Sequence, residues 1–258
     1  MPDPGFVLYQ ELPRRPLTAR NLDDFAVCPQ KYLLSFFQPP GETERTLGGS
    51  AALHQAVRAA LVELYREGGS EAVPPERLAE WFEERWDGAA CADSREEEAL
   101  HREGLELLRK YHEAHSAEPP RVLDSDLRME AELGGHQFVA IADRVDEGPD
   151  GALTLVRYKT TRRPPGPGEL AADLSAGLLA LVGARHFARP VRVAIEALRP
   201  GTVVLAEFPA GAQAELERSL ARQAEQIRRA TDYPTRQSAK TCRHCRARSR
   251  CPAWEKTI

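Results

Sequence analysis

The strongest constraint on what this chain can fold into is a change of hydrophobic period after Pro120. Upstream, apolar residues recur at the three- and four-residue spacing of helices. Downstream, "RVLDSDLRMEAEL", "HQFVAIADRVDEG" and "GALTLVRYKTT" are short runs of alternating character, joined by Gly134-Gly135 and by Pro149-Asp150-Gly151. They read as three strands of a meander. A helix from about Gly168 to Phe187 follows, then a hairpin, "PVRVAIEAL" and "TVVLAEF", around the Pro200-Gly201 turn. A last helix is expected from Ala212 to Arg229. The order α-rich, βββ, α, ββ, α predicts an α/β core with a mixed sheet, flanking helices and a helical insertion.

The helical half has its own punctuation. Thr18 can cap a helix carrying Leu22, Phe25 and Ala26, which Cys28-Pro29 interrupts. A loop containing "QPPGE" leads to "LGGSAALHQAVRAALVELYREGG", where Leu53, Val57, Ala60, Leu61 and Leu64 share one face before a Gly68-Gly69 stop. Acidic helices are expected at about Pro75 to Trp86 and Ser94 to His115. The 258 residues suffice for one large domain. Within it, 17–66 holds the N-terminal helices, 70–118 the acidic insertion, 119–235 the α/β core and 236–258 a basic end. No apolar run approaches the roughly 20 residues of a membrane span, and "MPDPGFVLYQELPRRPLTARN" lacks the apolar core of a signal peptide. A soluble, cytoplasmic protein without a membrane partner is the expectation.

Charge is unevenly spread. Glu63 to Glu106 holds 14 acids against 5 arginines, a net of −9, whereas Arg236 to Lys256 carries a net of +6. A basic terminus on an acidic body favours local attraction for a polyanion. Only five of the 35 basic residues are lysine, which makes Lys159, at the end of a strand, more noticeable.

Cys242, Cys245 and Cys251 stand in "CRHCRARSRC", closed by Pro252. In an intracellular protein, cysteines this close are metal ligands more often than disulfide partners. Three ligands on a short loop need a fourth. Cys28 is the best candidate, because Cys-Pro stops a helix and leaves the sulfur at a turn. Cys91, in "GAACADS", reads as an ordinary small residue. By spacing alone, an iron–sulfur cluster and zinc, the latter with four cysteines or with His244, are both acceptable. Either would clip the chain's two ends together.

Taken in order, "LDDFAVCPQKYLL", "GGSAALHQAV", "AIADRVDEGPDGALTLVRYKTT" and "CRHCRARSRCP" resemble the landmarks of the RecB-like PD-(D/E)XK nucleases with an iron–sulfur staple, a group that includes CRISPR-associated exonucleases. The likeness runs from Leu17 to Trp254. It implies a restriction-endonuclease-like core and a [4Fe–4S] cluster on Cys28, Cys242, Cys245 and Cys251. It also implies Mg²⁺ or Mn²⁺ on hard ligands that activate water at a scissile phosphate. His54 is similar to the family's active-site histidine and metal ligand, Asp143 to its metal-bridging aspartate, and Lys159 to the lysine that orients water and offsets developing charge. Without the resemblance these would read as a polar residue beside a core stripe, a surface acid paired with Arg144, and a strand-end lysine. The implied partner is DNA, as single strands or ends, with Arg236, Lys240, Arg243, Arg246 and Arg248 as the backbone-contacting surface. The chain has no GxxxxGK[ST] motif, so a helicase or other motor working beside it, or another repair or CRISPR protein, would be a separate chain.

The pattern fails at one place. The family wants Asp or Glu where this chain has Arg157, which cannot ligate a metal. About 4 Å from a divalent ion it would add roughly 8 kcal/mol of repulsion at an effective dielectric near 20. On the next helix, the family's Gln-x-x-x-Tyr aligns with Asp173 and Gly177. Either Asp173, or Glu169 a turn earlier, supplies the missing carboxylate, or the site is inactive and Arg157 belongs to a phosphate-binding surface. The second fits better, since both departures fall in one site while the cysteine motif is intact. Glu130, ending the preceding strand, is a weaker candidate ligand than Asp143.

Overall fold

The computed structural model describes residues 15–37, 48–243 and 245–254. The "QPPGE" loop, His244, Glu255 and Lys256 lie outside the described residues. The order is α1 (Ala19–Val27), α2 (Pro29–Phe36), α3 (Gly49–Arg66), α4 (Pro75–Arg85), α5 (Ser94–Ala117), β1 (Val122–Leu133), β2 (His136–Glu147) and β3 (Leu153–Lys159). There follow α6 (Pro167–Ala171), α7 (Leu174–Phe187), β4 (Val191–Ala197), β5 (Thr202–Ala206), α8 (Ala210–Arg229) and α9 (Ala239–Arg243).

The five strands form one mixed sheet in the order β1-β2-β3-β4-β5. β2 and β3 pair antiparallel with Arg144 opposite Val156. β3 and β4 pair parallel from Leu153↔Val191 to Lys159↔Ala197, and β4 and β5 are antiparallel. The connection between β3 and β4 carries α6 and α7, as a parallel pair requires a crossover. Gly134 and Gly135, both at positive φ, turn β1 into β2.

The expected single helix from Gly168 to Phe187 is instead two. Asp173 has extended backbone and its carboxylate accepts the Ala176 N–H at 2.8 Å, so it ends one helical segment and caps the next. Glu169 accepts the Gly166 N–H at 2.7 Å and closes the first turn of α6.

Contacts divide the described residues into two compact units, and β1 and β2 contribute residues to both. One unit spans Thr46–Met129 and Ala140–Ala210. Its core is the α3 stripe of Leu53, Val57, Ala60, Leu61 and Leu64, packed with Phe82, Leu108, Val156 and Tyr158. Burying each large aliphatic side chain there contributes about 1.5–3 kcal/mol. Under this core Arg144 is buried, with Asp146 at 2.7 and 2.8 Å, the Tyr65 hydroxyl at 3.2 Å and the Tyr111 hydroxyl as partners. Glu196 Oε2 lies 3.2 Å from Arg144 Nη1, outside hydrogen-bond geometry.

The other unit gathers the described residues within Met1–Arg45, Glu130–Val139 and Gly211–Ile258, so the N-terminal helices and the basic end share it. Thr18 caps α1 in a capping box with Asn21. Leu17 bridges to Phe138 on β2, and Phe25, Tyr32 and Tyr233 form an aromatic group. Arg236 Nη1 donates to the Ala26 carbonyl at 2.7 Å and Arg250 Nη1 to that of Leu34 at 3.0 Å, tying the last described residues to the first helices.

Candidate active site

Strand alternation sets up the site. On β3, Tyr158 turns into the core, while Arg157 and Lys159 share the opposite face. One register step past Arg144↔Val156, Asp143 on β2 comes opposite Arg157. Asp143 is only 1% exposed, and its carboxylate is fully engaged. Oδ1 accepts Arg58 Nε–H at 2.7 Å. Oδ2 accepts the Tyr158 backbone N–H at 2.8 Å and Arg157 Nε–H at 3.3 Å. Asp143 does not pair with Arg144, the partner it would have as an ordinary surface acid, because Arg144 points to the other face and takes Asp146.

Arg58 stands one helical turn after His54 on α3 and also pairs with Asp126 on β1. Asp126 has φ 56, a left-handed conformation uncommon for a non-glycine residue, and it also meets Arg66 at 3.4 Å. Neither Arg58 nor Asp126 was among the expected site residues. The one sequence signal was a charged residue at i+4 from His54 beside an apolar stripe.

Electrostatics follow from that crowding. Burial, then the positive charge of Lys159, holds the His54 imidazole below its usual range, with Asp143 opposing. Burial and then Arg157 lower the Lys159 ammonium. Neither the His54 imidazole nor the Lys159 ammonium has a hydrogen bond or ion pair among the described residues.

In front of β3 and β4 lies a cavity of about 460 Å³ whose walls include Arg157, Lys159, Arg163, Glu169, Asp173 and Ser175. It places Lys159 and both candidate replacement acids on one lining. Each acid, however, is turned to a backbone amide at a helix start. Among the described residues no three His, Cys, Asp or Glu side chains are spaced to hold a metal ion. His54, Asp143 and Asp173 therefore do not compose a ligand set. Glu130 is exposed on β1 and belongs to the other unit. As placed, these residues do not fit a divalent ion, because Asp143, which the resemblance makes the bridging carboxylate, already carries two guanidinium partners, and Arg157 stands where the resemblance calls for a second carboxylate.

Four of the five cysteines belong to the other unit. Cys28 is at once the C-cap of α1 and the N-cap of α2, and its Sγ accepts the Arg236 N–H at 3.3 Å. Cys28, Cys242, Cys245 and Cys251 line one cavity of about 460 Å³. All four are free thiols, and among the described residues they are not gathered into a metal-ligand cluster. Burial raises the Cys245 thiol. Cys91 sits beside Gly49 in the unit that spans Thr46–Met129 and Ala140–Ala210.

Of the expected nucleic-acid residues, Arg236, Lys240, Arg243, Arg246 and Arg248 are all exposed. Arg236 is partly committed to Ala26 and Cys28, and Arg248 lies over the Trp254 ring, 5.7 Å from its centroid. Arg157 is half-buried at the cavity instead.

A mixed five-stranded sheet flanked by helices, with a carboxylate and a lysine delivered by neighbouring strands beside a helical histidine, is the frame of a nuclease-type α/β fold. The chain belongs to the PD-(D/E)XK nuclease superfamily, whose family model matches residues 16–252. Members of this superfamily typically use a divalent metal ion. The crystal structure of a candidate exonuclease from Eubacterium rectale is similar at TM-score 0.55 and 9% identity, covering 100% of this chain and 93% of that one. At that identity the likeness is one of fold. A second solved structure, SSO0001, is 15% identical over 87% of this chain and 94% of its own, at TM-score 0.37. No curated protein matches the chain. Among the described residues no helix is long and apolar enough to cross a membrane.

Proposed function

We propose that this chain is a DNA-binding member of the RecB-like branch whose nuclease site is filled by arginine and does not hydrolyse DNA. The observation that supports this is the double clamp on Asp143. Arg58 and Arg157 donate to opposite oxygens of the carboxylate that an active relative would give to metal. Displacing them would leave two guanidiniums beside the incoming ion, a repulsive arrangement at any reasonable dielectric. Lys159 then serves as a phosphate contact rather than as an aid to water attack.

In this reading Cys28, Cys242, Cys245 and Cys251 hold a [4Fe–4S] cluster that, when bound, cross-links the N-terminal helices to the basic end. Lys240, Arg243 and Arg246 present cations to the backbone of single-stranded DNA or DNA ends. A helicase or another repair or CRISPR protein in the cytoplasm would supply the motor or the cutting activity.

The second reading is an active Mg²⁺- or Mn²⁺-dependent exonuclease using His54, Asp143, Lys159 and Asp173 or Glu169. It is favoured by one observation, that both acids share the cavity lining with Lys159. The test is cleavage of single-stranded DNA by anaerobically purified protein with Mn²⁺ or Mg²⁺, beside Lys159→Ala and Arg157→Asp. No cleavage by the native chain is expected, with activity gained on Arg157→Asp. Cleavage by the native chain that Lys159→Ala abolishes would refute the non-hydrolytic reading. A colourless protein with stoichiometric zinc would refute the cluster.

A further inference from the structure

We infer that the cavity walled by Arg157, Lys159 and Arg163 is a receptor for one nucleotide of a DNA strand, its phosphate held by protein cations without a divalent ion. The inference rests on the reading of the chain as a non-hydrolytic DNA binder.

Three observations carry it. The first is donor availability. Arg157 spends only Nε on Asp143, and its two amino groups have no hydrogen-bond or ion-pair partner among the described residues. The Lys159 ammonium and the Arg163 guanidinium have no hydrogen bond or ion pair among the described residues. Three cationic groups on one cavity wall therefore have N–H donors to give, and guanidiniums match phosphate oxygens in pairs. The wall's two acids, Asp173 and Glu169, are directed to backbone amides at 2.8 and 2.7 Å, which draws their charge toward helix starts.

The second is size. About 460 Å³ lies within the roughly 300–1,000 Å³ range of small-molecule sites and exceeds what a bare phosphate fills. Leu170, Leu179, Val193 and Ile195 supply an apolar wall for sugar and base.

The third is substitution in place. Arg58 and Arg157 sit on the Asp143 oxygens and cancel its charge, the electrostatic task that a metal ion performs in an active relative. A fixed guanidinium does so without dissociating, so affinity for phosphate becomes independent of free metal.

The experiment is fluorescence anisotropy with a labelled single-stranded oligonucleotide, in EDTA and in Mg²⁺. The strand is used with a 5′-phosphate, with a 3′-phosphate and with both ends unphosphorylated, and an unlabelled circular single strand is the competitor. Binding within about twofold in EDTA and Mg²⁺ is expected. Arg157→Gln and Lys159→Met should each weaken it about tenfold and lower the salt slope by about 0.7, one single-strand phosphate contact. Arg157→Lys should recover most of the loss. A preference for one phosphorylated end would identify a terminal phosphate as the occupant; equal binding and effective competition by the circle would identify an internal diester. Arg157→Gln leaves Asp143 with Arg58 and Tyr158, and Lys159 has no protein partner to lose, so thermal melts should move little. Were Arg157→Gln to unfold, Lys159→Met would decide alone.

Binding that requires Mg²⁺ would overturn the inference. So would unchanged affinity in both variants with loss only on replacing Lys240, Arg243 and Arg246, an outcome that leaves the DNA-binding reading standing. No DNA binding by the native chain would refute both.

Discussion

Replacing Asp143 by Asn tests the arginine clamp directly, because a metal site and a clamp respond with opposite signs. A carboxylate held ready for a metal sits in an acidic, self-repelling environment, and its removal in EDTA is neutral or stabilising. Here Asp143 is 1% exposed and accepts three hydrogen bonds, two of them from guanidiniums. Breaking a buried ion pair by removing one partner costs about 3–5 kcal/mol. The lower end applies, since Arg58 and Arg157 keep 28% and 30% of their side-chain surface in water and the Arg157 contact is long at 3.3 Å. Asn can still accept the Tyr158 N–H but turns an amide donor toward one arginine. The expected loss is about 3 kcal/mol, or about 6–12 °C in the melting temperature of a chain this size. The assay is urea denaturation and calorimetry in EDTA, followed with probes in each compact unit, since the two need not unfold together. A melting temperature unchanged or raised in Asp143→Asn would show that the clamp does not exist in solution.

Two further outcomes follow from neighbouring residues. His54 should titrate below the ordinary imidazole value of about 6.5 because it is buried and lies near the Lys159 charge, and removing that charge with Lys159→Met should move its midpoint up, read from imidazole NMR shifts. Since the folded value lies below the unfolded one, the unfolded chain binds the extra proton between them. Stability is therefore complete above about pH 6.5 and falls as pH drops toward the folded value; His54→Gln should remove that slope. Gly104→Ala places a Cβ inside contact distance of the buried Phe82 ring and 3.0 Å from Leu53 Cδ1. Overpacking of about 1–3 kcal/mol should outweigh the helix-propensity gain of about 1 kcal/mol, lowering the urea midpoint.

Much of the fold was legible because it is written in local periods. The stripe from Leu53 to Leu64, the Thr18 cap, the change after Pro120 and the Pro200-Gly201 turn each involve residues within a few positions of one another. The break at Asp173 was missed because "GELAADLSAGLLAL" is apolar enough to continue a helix, and only the cap bond from Ala176 shows where it restarts. At the site, Arg157 was visible as a departure, yet its contact with Asp143 depends on strand register. Arg58 meets Asp143 across 85 positions, and Asp126 reaches Arg58 through a left-handed backbone, so no local pattern announces either. The cysteine spacing was plain in the sequence; that Cys28 shares a cavity with the other three required the chain ends to meet.

The Tyr158 amide bond to Asp143 has a spectroscopic consequence. β2 and β3 pair backbone to backbone up to Arg144↔Val156, and at the next step the ladder acceptor is a side-chain carboxylate. That amide proton is therefore a resident sensor. Its chemical shift and hydrogen-exchange rate report whether the Asp143 carboxylate is clamped, protonated or drawn away, with no label or ligand added, in a single backbone resonance.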